Sequence, residues 1–394
     1  MSSRVMFIPM SWGRGLGPLT DCLAIASCLR KESEVAFLVK EEFVKFAKRG
    51  NYVTYDIISG ATHKKITNEF YTDFPCFQGL GDESLLAEML RCEREAILDF
   101  KPNVIFSWLQ FTATITAADL RVPLVSKANW PEHPNFVPLD FTADIQPSKV
   151  TPIFNQILMD HNQSQINSIW DLSFLRSKLK IAPTLPLFEP GLRKVPDLYY
   201  VGHLVYQGSE IASVPEWMKK LEPSKKIVFV YLSDKQLDLS KNAIKLAELF
   251  DNTEFQVIVS LGAHISADQV PSQMGNVQFE KLVPADLMFS KSDVFVSTGT
   301  RGSAWAALLH GVSMVLFPGV DMETGLNAHN ISKYGAGIRL ADDVFFTKEL
   351  ITALRRVSKP EYRNQAKKLG NQMMKLGGPA QAAKIIQKLL PIEP

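Results

Sequence analysis

The run Ser297-Thr298-Gly299-Thr300-Arg301-Gly302-Ser303 gathers the residue types that hold a phosphate. It follows a short apolar run, Asp293 to Ser297 (DVFVS), and leads at once into a helical pattern, Gly302 to Leu309. At a helix start the first backbone N–H groups lack intrahelical acceptors and the dipole presents its positive end, so an anion is favoured there. Gly299 and Gly302 let the backbone approach closely, Thr298, Thr300 and Ser303 offer hydroxyl donors, and Arg301 brings a charge. A plain helix cap at a strand exit draws on the same glycines and hydroxyls, so the run alone leaves both readings open. No metal-ligand spacing, GxSxG elbow or P-loop accompanies it.

The elements that position this run alternate. Val5–Pro9 (VMFIP) reads as a buried strand, followed by a Gly-rich turn from Trp12 to Gly17 and a helix from Pro18 to Lys31. Val35–Val39 is the next strand and Glu41–Lys48 a helix. Glu83–Phe100 has the apolar spacing of a longer helix, and Val104–Ser107 and Pro123–Ser126 are further strands. Apolar strands without alternating polarity, separated by helices, belong to a parallel sheet covered on both faces. From Asn129 to Pro196 the rhythm breaks into prolines, aromatics and an amphipathic stretch, Ile166–Leu179. A second alternation follows, with strands at 226–233, Phe255–Ser260, Val277–Phe279, Asp293–Ser297 and Ser313–Pro318 and a helix at Lys241–Phe250. It closes with helices near Lys348–Arg356, Glu361–Met374 and Pro379–Leu390. Two doubly wound α/β halves, joined near residue 200, are expected to take ligands at the carboxyl ends of their strands, in a cleft between them.

Length and composition restrict the partners. At 394 residues the chain exceeds the roughly 250–300 at which a single core stops growing. Lys and Arg, 43 together, nearly balance 41 Asp and Glu, leaving no broad basic field for nucleic acid. Cys22, Cys28, Cys76 and Cys92 show no CxxC spacing, and scattered thiols fit a reducing compartment. The N-terminal apolar stretch is too short for a signal-peptide core, and no apolar run reaches the roughly 20 residues that span a bilayer. A cytoplasmic protein without a transmembrane segment is expected.

The pattern around the glycine turn extends further. The run Val296-Ser297-Thr298-Gly299-Thr300-Arg301-Gly302-Ser303, a helix, then GVSMVLFPG, ETGLNA and GAGIRL together resemble the donor-binding signature of nucleotide-sugar-dependent glycosyltransferases of the GT-B fold. The relatives implied are the UDP-glycosyltransferases and the antibiotic-tailoring transferases. Leu282-Val283-Pro284 is similar to that family's loop facing the nucleobase, and Leu232-Ser233 stands where it has a serine near the donor phosphates. The resemblance implies two Rossmann-like domains: an acceptor domain over 1–200, a donor domain over 201–370, and a helix over 371–394 returning to the first. Carried over by position, Thr298 replaces a phosphate-binding His and Gly299–Ser303 form the pyrophosphate turn. Glu323-Thr324, counted back from Asn327, fall where many members hold the sugar hydroxyls. One carboxylate can accept from two such hydroxyls. The family's ribose-binding glutamate falls at Ala306, a departure that fits either a dTDP-sugar, whose deoxyribose lacks one hydroxyl, or weakened donor binding.

The family places a catalytic His or Asp in the turn after the first strand. Two alignments put that position at Gly15 or Pro18, and neither residue takes a proton. A base must reach the acceptor hydroxyl, so Asp21, expected on the first turn of the next helix, is the first candidate; stabilisation of that helix start is its other reading. Glu323 is the second candidate base. Ser11, Trp12 and Arg14 lie on the acceptor side, with Trp108, Trp130 and His133 and, more weakly, Phe136 and Phe154. His203, His264, His310 and His329 read as hinge, donor-side or packing residues. The resemblance implies metal-independent, inverting transfer from a UDP- or dTDP-sugar to a hydroxyl of a small molecule, with the nucleotide sugar as co-substrate and no bound cofactor. The missing groups at Gly15, Pro18 and Ala306 equally suit a non-catalytic nucleotide-sugar-binding protein, and related sheets host nucleotide-sugar hydrolases and epimerases.

Overall fold

The computed structural model describes residues 3–12, 15–30, 32–58, 80–137, 148–206, 214–232, 242–261, 270, 272–281, 283–319 and 321–391. Arg14, Ser233, His264, Leu282 and most of the 60–81 loop lie outside them, as does part of the Asn129–Asp171 loop, both expected to shape an acceptor pocket. The chain divides into two compact units, Met1–Gln207 with Leu376–Pro394, and Gly208–Lys375.

In the first unit the chain runs β1 (Ser3–Pro9), α1 (Gly17–Leu29), β2 (Ser33–Val39), α2 (Glu41–Arg49), β3 (Val53–Asp56) and α3 (Glu83–Phe100). It continues through β4 (Val104–Trp108), α4 (Phe111–Asp119), β5 (Leu124–Lys127), α5 (Thr151–Asp160), α6 (Asp171–Leu175), β6 (Leu179–Ala182) and β7 (Leu198–Tyr200). The strands form a parallel sheet in the order β3-β2-β1-β4-β5-β6-β7. Phe7 of β1 packs against Phe37 at 5.3 Å and Phe106 at 5.5 Å between ring centroids, an aromatic centre that both faces of helices cover. Helix α3 starts where the Asp82 carboxylate accepts from the N–H groups of Ser84 and Leu85. It buries the stripe Leu86, Met89, Glu93, Ala96, Ile97 and Phe100, and it ends at Lys101 in the left-handed region, φ 54°. The amphipathic 166–179 stretch is helical only over Asp171–Leu175, because its last residue, Leu179, is taken into the sheet as the start of β6.

The second unit runs β8 (Lys226–Tyr231), α7 (Ala243–Phe250), β9 (Phe255–Ser260), β10 (Gln273–Met274), β11 (Val277–Glu280), α8 (Ala285–Lys291), β12 (Val294–Ser297) and α9 (Arg301–Leu309). After these come β13 (Ser313–Leu316), α10 (Met322–Lys333), β14 (Gly337–Arg339), α11 (Lys348–Val357) and α12 (Pro360–Met374). The order is β10-β11-β9-β8-β12-β13-β14, parallel except for the β10–β11 pair. Helix α13 (Gly378–Gln387) returns to the first unit, where it packs on α1 and the Gly378 N–H donates to the Val201 carbonyl at 2.7 Å.

Helix α9 is held from behind by α12, and the crossing depends on Gly370. A Cβ there would lie 2.0 Å from the Leu308 carbonyl oxygen and 3.0 Å from the Leu309 Cα, both backbone atoms that cannot turn aside. Gly370→Ala gains helix propensity of up to about 1 kcal/mol but must prise the helices apart, an overpacking cost of about 1–3 kcal/mol. A lower unfolding midpoint is expected, and a midpoint equal to wild type or higher would refute the close crossing.

Candidate functional site

In the second unit the sheet order reverses direction between β8 and β12, the place where open α/β sheets bind ligands beyond their carboxyl strand ends. The chain leaves β12 at Ser297, whose Oγ accepts the Gly299 N–H at 3.2 Å. Gly299 adopts φ +90°, and a Cβ there would sit 3.4 Å from the Thr324 carbonyl, so the turn needs glycine. Thr300 is the N-cap residue of α9; its Oγ1 lies 2.8 Å from Ser303 Oγ, so the two hydroxyls hold each other at the helix start. Gly302 is exposed, and a Cβ on it would meet nothing within 4 Å. Thr298 and Arg301 are buried beside it.

The amino end of α9 already receives an anionic oxygen: the Arg301 N–H donates to Glu323 Oε1 at 3.4 Å. Glu323 stands in the first turn of α10, not in a loop. Thr324 and Asn327 differ from their expected role as direct donor ligands. The Thr324 hydroxyl donates to the Pro318 carbonyl at 2.6 Å, and its N–H to Asp321 Oδ1 at 2.9 Å. Asn327 is buried, and its Nδ2 donates to the Gly299 carbonyl at 2.9 Å, pinning the turn to α10. Val283 is half-buried, two residues before α8. His310 ends α9 stacked on Phe289, with Nε2 3.6 Å from Asp286 Oδ1, and His329 lies in α10.

The first unit has its own reversal between β1 and β4, where Pro9 pairs with Trp108. Hydrogen bonds bind the two turns leaving these strands. Ser11 donates from both N and Oγ to Gln110 Oε1, at 3.0 and 3.1 Å. Trp12 donates from Nε1 to the Leu109 carbonyl at 2.8 Å and stacks on Phe111. Leu109 has φ +56°, a strained conformation for a branched side chain, fixed here by its neighbours on both sides. Ser11, Trp12 and Trp108 are therefore buried framework at this edge.

Asp21 is the fifth residue of α1, one residue deeper than expected, and the first turn holds no acidic residue, so the helix-start reading falls away. Its Oδ2 accepts the Trp108 indole N–H at 3.0 Å. The Lys127 ammonium lies 4.5 Å from the Trp108 ring centroid and 2.6 Å from Glu132 Oε1, which Asn129 Nδ2 also reaches at 3.0 Å. A cation over the ring face draws electron density from the indole and makes its N–H a better donor to Asp21. Two widely separated turns thus converge on Asp21.

His133 does not present a base. Its Nδ1 accepts the Asn135 N–H at 3.1 Å, which leaves the proton of the neutral ring on Nε2, and burial lowers its pKa against the opposing pull of Asp171. The ring packs between Trp130, at 4.8 Å, and Phe174. Phe154 is fully buried against Phe111, a core residue, and Phe136 sits edge-on to Trp130. His203 is a backbone neighbour of Gly378, in keeping with packing. Lys127, Glu132, Gln110 and Glu93 escaped the sequence reading. For Glu93 a signal existed, since its position falls within the apolar stripe of α3.

Among the described residues no group of three or more His, Cys, Asp or Glu could hold a metal ion. None of their helices is long and apolar enough to cross a membrane.

The chain is similar to the glycotransferase of kitacinnamycin at a TM-score of 0.77 and 17% identity, over 98% of this chain and 99% of that one. The fold is GT-B. A second GT-B structure, the glycosyltransferase VinC in complex with dTDP, matches at a TM-score of 0.72 and 15% identity over 98% of this chain and 99% of that one. Residues 245–389 match the family model of the erythromycin biosynthesis protein CIII-like C-terminal domain. Among curated proteins, the chain is 27% identical to the NDP-glycosyltransferase YjiC of Bacillus subtilis (strain 168) over 142 residues, 36% of each. It is 22% identical to the demethyllactenocin mycarosyltransferase of Streptomyces fradiae over 325 residues, 77% of this chain and 67% of that protein. The chain thus spans little more than a third of the length of the first of these relatives. These matches bear out the resemblance to nucleotide-sugar-dependent glycosyltransferases of the antibiotic-tailoring kind, and the relatives are named enzymes.

Proposed function

We propose that this GT-B chain is a cytoplasmic glycosyltransferase that moves a sugar from a UDP- or dTDP-sugar to a hydroxyl of a small-molecule acceptor, with inversion and without a metal. The reading rests on the amino end of α9. A glycine-dependent turn leads into it, paired hydroxyls flank it, Arg301 opens it, and a carboxylate oxygen already meets its first N–H. A diphosphate carries the same kind of oxygen with more charge. Helix N–H groups and Arg301 supply the positive charge that a divalent ion supplies elsewhere. The neighbour bound to dTDP supports the nucleotide class, and Ala306, which offers no carboxylate to a ribose, favours dTDP. Free thiols at Cys22, Cys28 and Cys92 suit a reducing compartment.

In the proposed reaction the acceptor oxygen forms a bond to the anomeric carbon as the bond from that carbon to the diphosphate oxygen breaks. Asp21 takes the acceptor proton and the diphosphate leaves with the electron pair. Glu323, freed from the helix end by the incoming phosphate, hydrogen-bonds the sugar hydroxyls.

Arg301→Ala is expected to raise the dissociation constants of UDP and dTDP by about 10–100-fold, the worth of a charge-assisted contact, and Arg301→Lys is expected to recover part of it. Calorimetric titration giving wild-type constants for Arg301→Ala would remove this residue from the phosphate site. Release of free sugar at the same rate with and without acceptors would replace transfer by hydrolysis.

A further inference from the structure

A buried carboxylate lies beneath the acceptor-side turn, and neither the fold nor the proposed chemistry accounts for it. Glu93 of α3 is fully buried. Its Oε1 accepts from Gln110 Nε2 at 3.0 Å and from Thr112 Oγ1 at 2.5 Å, and its Oε2 from Thr116 Oγ1 at 2.8 Å. Gln110 is thereby turned so that its other amide atom, Oε1, faces Ser11 and accepts both the N–H and the hydroxyl of that residue. Were the amide reversed, its NH₂ would confront the Ser11 backbone N–H and its oxygen the Glu93 carboxylate, so the carboxylate fixes which way Gln110 points. Glu93 thus acts on Ser11, the second residue after β1, through a single intermediary.

The three donors are neutral, and among the described residues no cation offsets the charge. On α3 itself Arg91 lies on the exposed face, paired with Glu88 and Glu95, and Arg94 is exposed. On α4 the charged residue is Asp119, engaged by His161 and Gln163. On β2 it is Glu34, paired with Arg4 on the surface. The network nevertheless accommodates a proton. Thr116 Oγ1 also donates to the Thr112 carbonyl, at 3.3 Å, and in that state can accept from a protonated Oε2 while Oε1 keeps its two donors. What changes is strength: bonds to an ionised oxygen are shorter and roughly twice as strong as those to a neutral one.

We propose that Glu93 is a positioning residue for the acceptor turn, holding Ser11 through Gln110 and tightening that hold when it loses its proton. The role for the turn rests on the reading of this edge as the acceptor side. Burial pushes the Glu93 pKa up to about 7 against the three hydrogen bonds, so both states are populated near neutrality.

The test follows the Trp12 indole N–H and the Ser11 amide by ¹⁵N NMR in the full chain between pH 5 and 9, with Trp12 assigned by Trp12→Phe. Both signals are expected to shift with one midpoint near 7. Glu93→Gln should abolish that shift, and Thr116→Val, which removes a donor to the carboxylate, should move the midpoint to higher pH. Signals that are silent over this range in the wild type, or that titrate unchanged in Glu93→Gln, would overturn the proposal. In turnover, Glu93→Gln is expected to remove the step near pH 7 from the pH profile of kcat/KM for the acceptor while leaving the dTDP dissociation constant within about twofold. Failure to find any acceptor that is glycosylated would remove the acceptor reading alone, since the NMR titration needs no substrate.

Discussion

Asp21→Asn is expected to lower glycosyl transfer by about 10²–10⁴-fold, the contribution of a positioned general base, with the dissociation constant for dTDP within about twofold of wild type. The substitution separates the two things Asp21 does. Asparagine keeps an oxygen that accepts the Trp108 indole N–H, so the link from α1 to the end of β4 survives. It cannot take a proton. Turnover is to be measured with dTDP- and UDP-sugars against a panel of small alcohols and phenols, alongside nucleotide titration. Activity within threefold of wild type would rule out Asp21 as the base and leave Glu323→Gln as the next variant to examine.

Trp108→Phe makes the complementary case. It removes the N–H that reaches Asp21 while keeping an aromatic face for the Lys127 ammonium, which lies 4.5 Å from the ring centroid. A carboxylate that loses a hydrogen bond to its charged form becomes more basic, so the acid limb of the pH–rate profile should move to higher pH. Asp21 thus accepts a hydrogen bond from Trp108, a residue 87 positions away in the chain.

That separation explains what could and could not be read from the sequence. The donor-side turn is local: strand exit, two glycines, hydroxyls and helix start fall within a dozen residues, and each element was legible from its own pattern. Helix α3 was legible to its ends because Asp82 caps it and its apolar stripe has helical spacing. Strand β3 was not, since its four residues, VTYD, are half-exposed and owe their conformation to pairing with β2. Helix α10 was hidden by the polar run METGLNAHNISK, in which Asn327 and Asn330 are buried for reasons that lie in other elements. For Glu93 the apolar stripe of α3 signals burial, but the partners that hold it, Gln110, Thr112 and Thr116, lie in a distant segment that the stripe does not reveal. Hydrogen bonds between distant segments leave no periodicity, and they decide most of the acceptor side.

The buried carboxylate should also show itself in stability. The Glu93 pKa in the folded chain is about 7, above the ordinary 4.5, so between these values the folded state holds a proton that the unfolded state has released. Stability from this group is present in full below about pH 4.5 and is lost as pH rises through 7, a change of about 3 kcal/mol at 1.36 kcal/mol per pKa unit. Glu93→Gln carries no such linkage: its amide oxygen accepts from Thr112 and Gln110, and its NH₂ donates to Thr116. The variant is therefore expected to match wild type near pH 5 and to exceed it near pH 8. At about 2–4 °C per kcal/mol for a unit of this size, the gain in melting temperature at the higher pH is about 6–12 °C. Other groups titrate over the same range, but they are common to both proteins and cancel when the melting temperatures are subtracted at each pH. A difference that stays flat from pH 5 to 8 would mean that Glu93 is already ionised in the folded chain at pH 5, and that the cost of burying its charge is met by the three hydrogen bonds alone.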